Sequence, residues 1–165
     1  MIKPIENSYW VLPGVLLAGE YPRNKDELSS VEKINALLDA GVKAFIDLTE
    51  EKDGLEAYSF MLKNAASHNR FPIQDYSIPE APGKVSAILD VIDSNIEQGN
   101  LVYVHCWGGI GRTGVIIGCW LVRHGFSGET ALALLRKLWK QCPKSKFKNS
   151  PENPSQENYI LKWKS

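Results

Sequence analysis

The segment VYVHCWGGIGRTG, residues 102–114, passes from an apolar run through a glycine-rich loop into a helical pattern. Its first part belongs to LVYVH at 101–105, almost wholly apolar, as a central strand buried on both faces of a parallel sheet requires. Residues 113–125, TGVIIGCWLVRHG, then read as a helix, and SGETALALLRKLWK at 127–140 as another. The same alternation runs through the rest of the chain. YWVLPGVLLAG at 9–19 reads as two short strands turning at Pro13-Gly14. SSVEKINALLDAG at 29–41 has helical spacing in Val31, Ile34, Leu37 and Leu38, with Ser29 or Ser30 as cap and Gly41 as stop. VKAFIDLT at 42–49 predicts a strand, LEAYSFMLKNAASH at 55–68 a helix, and RFPI at 70–73 a short strand or its end. Residues 83–99 predict a longer helix with Val85, Ile88, Leu89, Ile92 and Ile96 on one face.

Strands alternating with helices predict an α/β layer fold, and no repeat or linker divides it, so residues 1–165 read as one domain. In such sheets ligands bind beyond the carboxyl ends of the strands, which is where the opening segment lies. Composition narrows the function classes. Apolar residues make up 44% and charged residues 23%, the balance of a globular chain. A formal net charge of zero argues against a nucleic-acid or membrane-surface binder, which carries a basic excess. No apolar run approaches the ~20 residues of a membrane span. The start, MIKPIENSYW, lacks the apolar stretch of a secretory signal and predicts a cytoplasmic location. The three cysteines, Cys106, Cys119 and Cys142, are spaced neither as a disulfide framework nor as a zinc site, so reduced thiols are expected. Cys119 reads as core, in an apolar helix, and Cys142 as incidental.

The glycines at 108, 109, 111 and 114 let consecutive backbone N–H groups of Trp107, Gly108, Gly109, Ile110 and Gly111 turn inward as an anion-binding nest. A helix opening near Arg112 adds its unpaired N–H groups and positive dipole end. Arg112 adds a planar fork that grips two phosphate oxygens. No Gly-Lys-Ser/Thr follows the glycines, so a Walker-type loop is excluded. A thiol titrates near ~8.5 in isolation, and a helix N-terminus with a cation lowers that value, which predicts a thiolate nucleophile at Cys106. His105 is placed to brace the loop, and the Thr113 hydroxyl to stabilise the thiolate as it departs. A thiolate on the floor of a phosphate cradle predicts in-line attack on phosphorus and a phosphocysteine intermediate.

HCWGGIGRTG at 105–114 resembles the His-Cys-x5-Arg-Thr/Ser signature of cysteine-dependent protein tyrosine phosphatases, and the chain length resembles their small dual-specificity branch. The resemblance implies a twisted, largely parallel central sheet flanked by helices, phosphorylated protein as substrate, and no metal or other cofactor. It also implies a general acid on a loop before the signature. Asp75 in FPIQD matches best, with Glu80 in SIPE as the competing carboxylate. SPENPSQ at 150–156 resembles an element that positions the hydrolytic water, with Gln156 as the matching residue.

The charged stretch IDLTEEKDGLEAY at 46–58 reads as a core edge and solvated turn, with a pocket wall bearing Tyr58 or Asp47 as the alternative. Trp107 is expected to shape access, and His68 and His124 to lie on the surface or at helix ends. The leading functional expectation is a monomeric phosphatase for phosphotyrosine, with phosphoserine and phosphothreonine as further substrates, and with no nucleic-acid or membrane partner. Competing readings are an inositol phosphate or phospholipid phosphatase, a phosphate-binding module without catalysis, and a rhodanese-type sulfur transferase. The five uncharged residues between Cys106 and Arg112 count against polyphosphorylated substrates.

Overall fold

In the computed structural model, which describes residues 1–165, five strands form one sheet in the order β1-β2-β5-β3-β4. They are β1 (Ser8–Leu12), β2 (Leu16–Gly19), β3 (Val42–Asp47), β4 (Ser67–Arg70) and β5 (Leu101–His105). β1 and β2 make the antiparallel hairpin at Pro13-Gly14, where Gly14 takes a φ of 73°, and every other pairing is parallel. β5 is central and buried along its whole length, which accounts for its unbroken apolar run.

Alternate strand residues face opposite layers. Leu16, Ala18, Ala44, Ile46, Val102 and Val104 join a core of 27 buried residues. That core is shared with α2 (Lys84–Glu97), α3 (Gly111–Arg123), α4 (Gly128–Trp139) and α5 (Pro154–Lys162). Leu17, Val42, Phe45 and Tyr103 point the other way, into a smaller core closed by α1 (Glu27–Asp39). Residues 111–121 of α3 are buried without exception, because α2, α4 and α5 surround the helix. Cys119 and Cys142 both belong to the larger core, so Cys142 is a packed residue rather than an incidental one.

Two further expectations are corrected. α1 starts at Glu27 and is capped by Asp26, whose carboxylate accepts from Ser29 N at 2.7 Å; the buried Ser30 hydroxyl donates back to Asp26 O. The helix expected over 55–68 does not form. Only Ser59–Leu62 makes a 3-10 turn, which Lys63 and Asn64 end with φ of 48° and 62°. Tyr58, Met61 and Leu62 are instead drawn into the smaller core, and that packing overrides helix propensity. The C-terminal polar stretch at 150–156 runs into α5, with Pro154 in its first turn and the Asn153 side chain accepting from Gln156 N.

Candidate active site

The loop from Cys106 to Ile110 leaves the C-terminal end of β5 and opens α3, as the sequence predicts. Its carbonyls are held from outside. Cys106 O accepts from His105 Nδ1, Trp107 O from Tyr21 N, Gly108 O from Lys144 Nζ, and Ile110 O from Ser150 Oγ. No backbone N–H from Trp107 to Ile110 donates to another protein atom. Carbonyls out and N–H groups in is the arrangement of an anion nest. Gly109 makes the turn with φ of 76°, and a Cβ there would overlap the Gly19 carbonyl. Cys106 is 3% exposed and lies in a cavity of about 550 Å³ whose wall includes every loop residue except Gly109.

Arg112, in the first turn of α3, is 1% exposed. Nη1 donates to Asp53 Oδ2 at 2.7 Å and to Ile73 O at 3.0 Å. Nη2 stands 3.1 Å from Asp75 Oδ1 as an ion pair, but without hydrogen-bond alignment, and Nε has no partner at all. Burial works against the guanidinium charge, yet Cys106, Asp53 and Asp75 together outweigh it and push its pKa up. The Nε–Nη2 edge is therefore a charged, buried fork with donors to spare, the geometry that binds two oxygens of a phosphate. Asp53, from the charged stretch read as a solvated turn, is a site residue the sequence did not reveal.

Behind the loop, His105 is fully buried and its pKa is pushed down to about 4, mainly by burial. Because Cys106 O can only accept, Nδ1 carries the proton. Nε2 then accepts from Tyr58 Oη at 2.5 Å. Burial pushes the Tyr58 phenol well above its ordinary value, so it remains a donor. Tyr58 and Asp47 thus stand behind the site rather than facing substrate. Burial opposes the Asp47 charge, but His68, His105 and Thr49 hold its pKa well below the carboxylate range. His68 is part of this cluster, bonded to Asp47 at 2.8 Å, and not an isolated surface residue. His124 does end a helix, where it lies against Trp120 and bonds to Asp93.

Of the two carboxylates expected to compete as general acid, Asp75 lines the cavity and Glu80 does not; Glu80 is exposed. The segment bearing Asp75 is tied to the start of α5: Asn153 Nδ2 donates to Tyr76 O and Gln156 Nε2 to Ser77 O. Gln156 is buried; its Oε1 accepts from Glu152 N, and its Nε2 lies beside Gly111, where a Cβ would meet it at 2.7 Å. Thr113 Oγ1 is buried without a partner in the first turn of α3, leaving its hydroxyl free. A further carboxylate, Glu152, lines the cavity unheralded by sequence; burial and the Asp75 charge push its pKa up, against Lys148 and Arg112. Around the mouth stand Trp107, Tyr76 and Phe147, all exposed, with Lys144 and Lys148 beside them.

A buried thiol at the start of a loop with unpartnered N–H groups, followed by a buried guanidinium in the first turn of α3, is the site of a cysteine phosphatase. Residues 5–157 match the family PTP-SAK, described as Swiss Army Knife protein, DSP-PTPase phosphatase domain, and the chain belongs to it. The crystal structure of Tk-PTP in its active form superposes with a TM-score of 0.76 at 20% identity, covering 93% of each chain, and establishes the shared fold. "Putative tyrosine phosphatase 067L" of Invertebrate iridescent virus 3 is 29% identical over 143 residues, 81% of this chain and 58% of that protein. Phosphatidylglycerophosphate phosphatase PTPMT2 of Arabidopsis thaliana is 29% identical over 109 residues, 66% of this chain and 45% of that protein. The chain thus spans less than two thirds of the length of either relative.

Proposed function

We propose that this chain hydrolyses phosphomonoesters of protein tyrosine, with phosphoserine and phosphothreonine as slower substrates, through a phosphocysteine on Cys106. The observation that carries the reading is the pairing of unpartnered loop N–H groups with the buried guanidinium of Arg112, whose Nε is free and whose Nη2 meets only Asp75. Cys106 attacks phosphorus in line while the nest and the fork hold the equatorial oxygens, whose charge is conserved through transfer. Asp75 protonates the leaving oxygen, and the free Thr113 hydroxyl supports the thiolate when it is regenerated. His105, fixed as the Nδ1–H tautomer, braces the loop carbonyl.

Three exposed aromatic rings at the mouth favour an aryl ester, since a phenyl ring between them gains stacking contact that an alkyl ester lacks. A second reading, an inositol phosphate or phospholipid phosphatase, is favoured by Lys144 and Lys148, which bring to the mouth the positive charge the loop itself lacks. Lys144 is already paired with Glu20 at 2.9 Å, which weakens it as a phosphate ligand. The first reading also includes a monomer acting in the cytoplasm, where a reducing environment keeps Cys106 as a thiol. Phosphate release in chelator from phosphotyrosine peptide, phosphothreonine peptide and inositol phosphates tests it. Preference for phosphotyrosine peptide supports it, preference for inositol phosphates moves the function to the second reading, and release from none of them rejects both.

A further inference from the structure

Charge is unevenly spread along this chain. Residues 136–165 hold eight lysines and arginines against two acidic side chains, Glu152 and Glu157, although the formal net charge of the whole chain is zero. Arg136 on α4 and Glu157 on α5 pair at 2.8 Å, and Lys144 is taken by Glu20. The side chains of Lys148, Lys162 and Lys164 join no hydrogen bond or ion pair. Lys162 and Lys164 line a second cavity, of about 730 Å³, whose wall contains no carboxylate. Its apolar part is Ile78 with the rings of Tyr159 and Trp163, both packed against the larger core. This cavity adjoins the active one. Tyr76 and Glu152 belong to the active cavity, Ile78 and Ser155 to the second, so that only Ser77 on one segment and Asn153 and Pro154 on the other separate the two walls in sequence. Hydrogen bonds from Asn153 Nδ2 to Tyr76 O and from Gln156 Nε2 to Ser77 O tie the two segments into one narrow ridge.

We propose that the second cavity docks an acidic segment of the protein substrate, continuous in the bound chain with the phosphorylated residue in the active cavity. The proposal rests on the protein phosphatase reading above and narrows it to phosphoproteins with acidic residues near the phosphorylated one. Charge complementarity selects the occupant. Two exposed ammonium groups with no carboxylate beside them attract aspartate and glutamate and repel basic chains. The anchored faces of Tyr159 and Trp163 offer the same segment an apolar surface already held in place by the core. Lys148, unpaired at the wall of the active cavity, extends the positive field to the phosphorylated end of the segment.

Two phosphotyrosine peptides of equal length test this, one flanked on both sides by aspartate and glutamate, the other by serine and asparagine. p-Nitrophenyl phosphate serves as the substrate too small to reach the second cavity. Wild-type protein is expected to favour the acidic peptide about ten-fold in kcat/KM at low salt, mostly through KM. Raising the salt shrinks that preference, as the screening length falls from about 30 Å at 0.01 M to about 10 Å at 0.1 M. The double variant Lys162→Glu/Lys164→Glu, at two exposed positions, abolishes the preference and leaves p-nitrophenyl phosphate turnover unchanged. Lys162→Ala/Lys164→Ala gives an intermediate preference and keeps the test intact if charge reversal disturbs the fold. Equal kcat/KM on both peptides by the wild type, or a preference that survives both variants, overturns the proposal. Absence of preference in a wild-type protein that sediments with phosphatidylserine vesicles overturns it too, and assigns the basic surface to a membrane. Turnover of p-nitrophenyl phosphate with neither peptide hydrolysed rejects the protein phosphatase reading instead, so the two failures are distinct.

Discussion

Asp53→Asn tests whether the buried fork of Arg112 is held in place by its neighbour or by the nest alone. The substitution preserves shape and removes one charge from a 2.7 Å contact between side chains 1% and 6% exposed. A hydrogen bond to a charged group contributes about 1.5–3 kcal/mol, so stability falls by that amount. In a domain of 150–250 residues each kcal/mol moves Tm by about 2–4 °C, which gives a drop of about 3–12 °C. The fold survives, because Ile73 O, Asp75 and the Cys106 sulfur still face the guanidinium. A fork free to swing loses part of its transition-state contact. A loss of about 10- to 100-fold in kcat/KM, or about 1.4–2.7 kcal/mol, is expected. Thermal unfolding by circular dichroism and initial rates on p-nitrophenyl phosphate measure both quantities on one preparation. Wild-type Tm together with wild-type kcat/KM refutes the reasoning, and a lowered Tm with unchanged kcat/KM confines Asp53 to stability.

Other consequences follow from the same geometry. Asp75→Asn lowers kcat about 10²- to 10⁴-fold on phosphotyrosine peptide and much less on p-nitrophenyl phosphate, whose leaving group needs little protonation, while Glu80→Gln changes neither; the reverse pattern transfers the acid role to Glu80. Gly109→Ala forces a side chain into a left-handed φ, at about 1–2 kcal/mol, and against the Gly19 carbonyl, so calorimetric affinity for vanadate falls at least about ten-fold. Unchanged affinity means the loop does not need this turn. Burial lowers the His105 pKa from 6.5 to about 4, a difference of 2.5 units or about 3 kcal/mol at ~1.36 kcal/mol per unit. The unfolded chain binds the extra proton, so stability is full above about pH 6.5 and falls as pH drops toward 4. His105→Gln removes that part of the acid loss in urea titrations, and an identical pH slope in both proteins contradicts the assignment.

The parts of the molecule legible in its sequence are those set by local pattern. The all-apolar run at 101–105, the Pro13-Gly14 turn and the periodic stripe Val85, Ile88, Leu89, Ile92 each carry their answer within a few residues, and each stands where expected. Cys106 and Arg112 are legible because thiol, glycine turn and cation lie in one short stretch of sequence. What escaped is set by distance in sequence. Asp53 reaches Arg112 across 59 positions, and Lys144 reaches Gly108 across 36. In each case local composition shows only a charged turn. The misread helix at 55–68 failed for the same reason: His105, 47 positions away, draws Tyr58 inward. Glu152 reaches the cavity wall from the turn before α5, a placement that local composition does not show.

The most direct test of the account is a rapid-quench turnover with an aryl phosphate, followed by proteolysis and mass spectrometry of the peptide that holds Cys106. The account predicts one phosphoryl group on the Cys106 sulfur during turnover, and no phosphate release at all from Cys106→Ser. Sustained phosphate release from Cys106→Ser, with the wild-type peptide unmodified throughout turnover, contradicts it.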